Sequence, residues 1–208
     1  MNSNVEVSVQ PIIGKLEKVF DDFNGTLFKG ELKKCIISLI PSKGKYYGWC
    51  TLGRIWKDTN GGDVAYYEIN ITPEFLSRTF HETCCTMIHE MVHLKNIQDD
   101  VKDCSNGGRY HNKKFKESAE AVGLVVEKSA RFGWSTTSLG DELKSYLTEN
   151  YPEDIIPVYR SDVEKPKRKS KKVYRFVCPY CGIKASSTQN ISIVCMDCGV
   201  PMGCVNED

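Results

Sequence analysis

Two cysteine pairs close to the end of the chain constrain its fold more tightly than any other feature. Cys178-Pro-Tyr-Cys181-Gly and Cys195-Met-Asp-Cys198-Gly are separated by thirteen residues, and thiolates at that spacing meet the tetrahedral geometry of a structural zinc ion. The glycine after each second cysteine permits the tight turn that aims backbone amides at sulfur. Residues 173–208 are too few to build much apolar core. Metal binding, worth roughly 10 to 16 kcal/mol in zinc-finger peptides, is therefore expected to fold this segment into a zinc ribbon. A thioredoxin-like role for either pair would need a βαβ setting, which is missing here. Cys204 lies outside both knuckles and reads as a spare thiol.

The second constraint is His89-Glu90-Met91-Val92-His93. Upstream, Thr79-Phe80-His81-Glu82 has the form of a capping box, so a helix is predicted from Thr79 to about Asn96. Residues four apart on a helix share a face, and His89 and His93 can then offer imidazole nitrogens to one ion. Zinc is the expected ion, and Glu90, next to the first ligand, is placed to take a proton from water at the metal. A catalytic zinc uses three protein ligands. The chain has four histidines, and His81 lies eight residues before His89, too far along the same helix to share the ion. His111, after a glycine-bearing loop, is the natural third ligand, with Glu117 and Glu120 on the following helix as competitors. Zinc-assisted hydrolysis of peptide bonds is the chemistry this pattern points to.

Around these motifs the elements are read from periodicity. Apolar residues at 9, 12, 13, 16, 19, 20 and 23 predict an amphipathic helix. Lys33–Ile40, Tyr46–Trp56 and Val64–Thr72 predict three strands, consecutive and antiparallel, divided by turns at residues 41–44 and 60–63. In the last strand Ala65, Tyr67, Ile69 and Ile71 form an apolar face, with Tyr66, Glu68 and Asn70 directed away from it. That strand is either ordinary core sheet or an edge along the cleft that pairs with an extended substrate. Thr72-Pro73 starts a short helical turn. Further helices are predicted over about 112–122 and 138–151. The expected fold class is α+β, with a small antiparallel sheet and the HExxH helix in one domain and the zinc ribbon in another.

The charge pattern divides the chain. Residues 141–164 hold seven acids against Lys144 and Arg160, whereas 165–172 hold six bases. The basic block reads as a solvated linker that can also contact phosphates. The expected organisation is a metallopeptidase domain at 1–158, a charged linker at 159–172 and the ribbon at 173–208.

These residues resemble a known family. Thr86-Met-Ile-His89-Glu-Met-Val-His93, the later His111-Asn-Lys-Lys-Phe115-Lys, the preceding strand Tyr67-Glu-Ile-Asn-Ile71 and the terminal ribbon are together similar to the SprT-like, Spartan-related metalloproteases. The resemblance spans about residues 10–125 and 173–204. It implies a zincin-like catalytic domain, His89, His93 and His111 as ligands of a catalytic zinc, Glu90 as general base, and Cys178, Cys181, Cys195 and Cys198 around a structural zinc. It also implies proteolysis of proteins on DNA, including repair of DNA–protein crosslinks. The sequence departs from many members beside the third histidine, where Tyr110 and Asn112 stand in place of glycine, and its Leu94–Tyr110 loop is long.

Composition narrows the partners. Hydrophobic residues make up 40% and charged residues 26%, and the formal net charge is +1, which gives no global bias toward nucleic acid or membrane. The first residues form no signal peptide, and no stretch approaches a membrane span. An intracellular, cytoplasmic protein is expected, with nucleoid association following from DNA contact through linker and ribbon. Ten cysteines in such a chain read as metal ligands and thiols rather than disulfides. Cys35, Cys50, Cys84, Cys85 and Cys104 are the small buried or half-buried ones, and the loop of Cys104 can approach the active site. Tyr110 and Arg109, near the third ligand, are candidates both for stabilising an oxyanion and for shaping the loop. The alternative function is a catalytically silent nucleic-acid-binding zinc-ribbon regulator, and a third is a zinc hydrolase acting on a non-peptide bond.

Overall fold

The computed structural model describes residues 8–42, 46–59, 65–152, 156–161 and 172–205. The chain divides into two compact units, 1–162 and 163–208. The basic block, apart from Lys172, and the predicted turn at 60–63 lie outside the described residues. Among the described residues no helix is long and apolar enough to cross a membrane.

The first unit opens with α1 (Gln10–Leu27), whose Pro11 suits the first turn and which buries Ile12, Leu16, Val19, Phe20 and Phe23 along one stripe. Each such burial contributes about 1.5 to 3 kcal/mol. Five short strands follow: β1 (Ile36–Ser38), β2 (Gly48–Cys50), β3 (Trp56–Lys57), β4 (Ala65–Tyr66) and β5 (Glu68–Ile71). The expected antiparallel meander is corrected here. Each of the two later predicted strands breaks in two, β3 and β4 pair in a hairpin of their own, and β5 inserts between β1 and β2. It runs parallel to β1, with Ile37 opposite Ile69, and antiparallel to β2, with Trp49 opposite Asn70.

As the central strand, β5 has no free edge, so the reading of it as a substrate-pairing edge is replaced by core sheet. Both its faces are buried, including Glu68 and Asn70. The expected polar face is instead satisfied internally. Asn70 Oδ1 accepts from Ser38 Oγ at 2.9 Å and its Nδ2 donates to the Ile40 carbonyl, while Glu68 Oε2 accepts from Trp56 Nε1 at 2.6 Å.

A 3-10 turn at Pro73–Phe75 leads to α2 (Phe80–Gln98). The capping box is present: Thr79 Oγ1 accepts from the Glu82 amide, and the Glu82 carboxylate accepts from the Thr79 amide. Apolar side chains cover much of the circumference of α2, with Cys84, Met87, Ile88, Met91 and Leu94 all buried. The reason is its position at the centre of the unit, between α1, the first sheet and the elements that follow.

Those elements are β6 (Cys104–Ser105), β7 (Tyr110–His111), α3 (Lys113–Ala121), β8 (Leu124–Ser129), β9 (Gly133–Leu139) and α4 (Asp141–Asn150). The strands form a second sheet in the order β6-β7-β9-β8. α3 is capped by Asn112, whose Oδ1 accepts from the Lys114 and Phe115 amides. α4 begins three residues later than predicted, because 138 and 139 end β9. The hydroxyls of Tyr146 and Tyr151 donate to the Asp22 carboxylate and tie the end of the unit to α1.

The second unit is built from β10 (Tyr174–Val177), β11 (Lys184–Ser187), β12 (Val194–Cys195), β13 (Val200–Pro201) and β14 (Gly203–Cys204). β10 lies between β11 and β14, and β12 pairs with β13. Cys178 and Cys181 lie in the turn after β10, Cys195 ends β12 and Cys198 lies in the turn that follows it; Gly182 and Gly199 adopt φ of +72° and +66°, as those turns require.

Candidate active site

α2 carries His89, Glu90 and His93, with the two imidazole rings 5.0 Å apart between centroids. His111 comes from β7, just ahead of the helix predicted from about 112. Its amide donates to the Phe132 carbonyl at 2.9 Å, and its register partner is Gly133. Gly133 has φ +69°, and a Cβ there would stand 2.1 Å from the His111 carbonyl oxygen. Only glycine lets β9 approach this closely, so a residue twenty-two positions downstream fixes where the third histidine stands.

The three Nε2 atoms converge. Nε2 of His111 lies 3.2 Å from that of His89 and 3.0 Å from that of His93. The Phe115 ring sits 4.6 Å from each of the three imidazoles and forms an apolar floor beneath them.

The remaining ring nitrogens define tautomers. His93 Nδ1 is 2.7 Å from Asp103 Oδ2, which also accepts from Asn96 Nδ2 at 3.0 Å, and Asn96 Oδ1 accepts from Ser118 Oγ. Burial pushes the Asp103 carboxyl up, but hydrogen bonding from His93, Asn96 and the Cys104 thiol prevails and holds it below its ordinary range. An ionised carboxylate only accepts, so Nδ1 of His93 carries a proton and Nε2 is the nitrogen turned toward the other histidines. His89 Nδ1 stands 3.1 Å from Thr137 Oγ1, which supports the same tautomer. His111 Nδ1 is buried with no hydrogen-bond partner among the described residues.

Burial, reinforced by the neighbouring His93 and His111, holds His89 well below its ordinary pKa. Burial followed by His93 brings His111 down to about 4. Both rings are thus neutral donors at physiological pH. Nitrogens bound about 2.05 Å from one tetrahedral centre stand about 3.3 Å apart, close to the observed separations. The donor set therefore fits a zinc ion, and its Nδ1 partners have the form of the groups that orient metal-ligating histidines.

Glu90 is buried beside this cluster. Burial pushes its carboxyl up to about 7, while His93 and the donated Cys50 amide draw it back. β2 supplies that amide and also the space: a Cβ on Gly48 would lie 2.7 Å from the Asn70 carbonyl oxygen and 3.4 Å from Glu90 Cγ. A carboxyl with a pKa of about 7 beside the converging imidazoles can accept and return a proton.

Other candidates fall outside the cluster. Glu117 is exposed, Glu120 faces Lys116 at 3.6 Å, and neither joins the three histidines. His81 is on the first turn of α2 and is also outside. The Tyr110 ring lies where a Gly133 side chain would begin, and Arg109 is exposed in the β6–β7 turn. Cys104 does approach the site, within 4.8 Å of the His93 and Asp103 ligand atoms. Cys35, Cys84 and Cys85 are buried, and Cys50 is half-buried. Sequence reasoning passed over Asp103, Asn96, Thr137, Gly48 and Gly133. The isolated glycines, one in a predicted strand and one after an aromatic residue, were the available signal of close backbone approach.

In the second unit the sulfurs of Cys178, Cys181, Cys195 and Cys198 lie within 4.8 Å of one another. Cys204, in β14, is not among them. Amides of Cys181 and Tyr180 donate to Cys178 and bring its thiol down to about 6, whereas hydrogen bonding to neighbouring thiols raises Cys198 to about 12. Four sulfurs competing for negative charge in this way suit a dication at their centre.

A family model described as the SprT-like family matches residues 16–137, from within α1 to Thr137, the partner of His89. Comparison with curated proteins and with solved structures gave no match. Since the matched segment takes in more than half of the chain and all three converging histidines, this protein belongs to the SprT-like family.

Proposed function

We propose that this chain is a cytoplasmic zinc-dependent endopeptidase of the SprT-like type. Residues 1–158 would form a zincin-like catalytic domain, 159–172 a basic tether and 173–208 a zinc ribbon. The observation that carries the reading is the convergence of the His89, His93 and His111 Nε2 atoms beside the buried Glu90 carboxyl. His89, His93 and His111 would hold the catalytic zinc, and Cys178, Cys181, Cys195 and Cys198 the structural one. When bound, the catalytic ion supplies Lewis-acid polarisation of a peptide carbonyl and acidifies water.

The protein's own groups do the rest. Asp103 and Thr137 keep the His93 and His89 lone pairs directed inward, and Phe115 excludes water below the rings. Glu90 takes a proton from the attacking water and returns it to the leaving nitrogen. The outer edge of β2 pairs with no strand among the described residues, and Gly48 and Cys50 on that strand adjoin Glu90. An extended substrate segment lies along this edge, held by main-chain hydrogen bonds.

DNA-associated proteins are the proposed substrates. Besides the six bases of the tether, Arg109, Lys113, Lys114, Lys128 and Arg131 are exposed around the second sheet. None of these five forms an ion pair among the described residues. Such surface charge favours phosphate contact and predicts salt-sensitive binding.

The test combines metal analysis with cleavage of DNA-binding proteins in the presence of single-stranded DNA, duplex DNA or neither. Wild-type protein should carry about two zinc ions, with about one left in His89→Ala or His111→Ala. Absence of proteolysis under all three conditions, with DNA affinity intact, would favour the silent regulator. Turnover of small esters or amides alone would favour a non-peptide hydrolase.

A further inference from the structure

Arg78 is a half-buried cation held close to the candidate cleft with no ion pair among the described residues. Its Nε donates to the Phe75 carbonyl at 3.1 Å and its Nη2 to Thr86 Oγ1 at 3.0 Å, while the guanidinium lies 3.9 Å from the centroid of the Tyr47 ring. Nη1 has no hydrogen-bond partner, and no carboxylate comes within 4.0 Å of the group, among the described residues. Burial draws its pKa down, with Tyr47 and Glu82 acting in the opposite direction. The Glu82 carboxylate is itself occupied by the Thr79 amide and hydroxyl. Two acceptors and an aromatic face thus steer the guanidinium, yet no carboxylate among the described residues compensates its charge at close range.

Its position gives that charge a use. Thr86, which anchors Nη2, precedes Glu90 by four residues on α2, a rise of about 6 Å. The Thr86 methyl and Glu90 Cγ both border the space kept open by Gly48, at 3.1 and 3.4 Å from a Cβ there. Tyr47, which covers the guanidinium, directly precedes Gly48, stacks edge-on against Phe75 at 4.8 Å and is half exposed. Arg78 therefore flanks the same strand edge as Glu90, one helical turn away. An extended peptide advances about 3.3 Å per residue.

We propose that Arg78 forms a carboxylate-binding subsite, taking an acidic side chain or a terminal carboxylate about two to three residues from the peptide bond that faces Glu90. The proposal rests on the peptidase reading for the peptide nature of the ligand. Arg78 also steadies Phe75 and Tyr47, so loss of activity in a variant would not distinguish the subsite from a structural role. Charge selectivity does.

The experiment uses the full zinc-loaded chain with Glu90→Gln, which binds without turnover, and measures affinity for peptides carrying Glu, Gln or Lys at one position. Each peptide is made with a free and with an amidated carboxy-terminus, to separate the two sources of carboxylate. A preference of about tenfold or more for a carboxylate is expected. Adding Arg78→Glu should reverse the order in favour of Lys, and Arg78→Gln, the milder change, should abolish the preference. Equal affinity for all peptides, or a preference unmoved by both substitutions, would overturn the subsite. Parallel cleavage by wild-type protein separates the two ideas. Cleavage without charge preference leaves the peptidase and removes the subsite, whereas Arg78-dependent binding without cleavage does the reverse.

Discussion

Nδ1 of His93 lies 2.7 Å from Oδ2 of Asp103, ten residues beyond it in the chain. Asn96 Nδ2 holds the same oxygen from the other side at 3.0 Å, so the carboxylate is fixed before any ligand arrives. The pair sets which nitrogen of His93 faces its neighbours. Asp103→Ala should therefore weaken zinc at the histidine site by about 10- to 100-fold, while leaving the cysteine site untouched. A chelator-competition titration that resolves the two zinc ions checks this, and an unchanged histidine site would show that Asp103 does not orient His93.

Gly133 is predicted to matter as much as a ligand. The Cβ of Gly133→Ala would meet the His111 carbonyl oxygen at 2.1 Å, in a backbone conformation with φ +69° that alanine resists. Either β9 withdraws or His111 shifts. The expected outcome is loss of the histidine-site zinc and of cleavage, with the cysteine-site zinc retained. Metal content per chain reads this directly, and two zinc ions with wild-type activity would contradict the role given to the β8–β9 hairpin.

The raised pKa of Glu90 carries a stability signature in protein stripped of metal. Its folded value of about 7 lies above the ordinary 4.5, so the folded state favours the protonated carboxyl. That contribution is fully present below about pH 4.5 and is lost as pH rises through about 7, up to about 3 kcal/mol in all. His111, depressed to about 4, acts oppositely: its contribution is present above about 6.5 and is lost as pH falls through about 4. Urea unfolding of metal-free protein should therefore find Glu90→Gln gaining on wild type between pH 5 and pH 8. A difference that stays flat across that range would refute the burial-driven shift.

The local features were the legible ones. Thr79 and Glu82 announce the start of α2, and a helix must place His89 and His93 on one face, so half of the site follows from spacing. The cysteine knuckles are legible for the same reason, with Gly182 and Gly199 taking the conformations their positions imply. What escaped is non-local. Asn70 looks like a solvent-facing residue until Ser38 and Ile40, about thirty positions earlier, supply its partners. The parallel pairing of β1 with β5 depends on the same long-range fit. β9, Gly-Trp-Ser-Thr-Thr-Ser-Leu, has too little apolar alternation to announce a strand, yet it brings Gly133 to His111 and Thr137 to His89.

The central claim is that Glu90 moves the proton at a zinc held by three histidines. Its most direct test is the cleavage rate of Glu90→Gln against wild type at equal zinc content. The account predicts full zinc occupancy in the variant and a rate lower by at least about 100-fold. A zinc-replete Glu90→Gln protein that cleaves at close to the wild-type rate would contradict it.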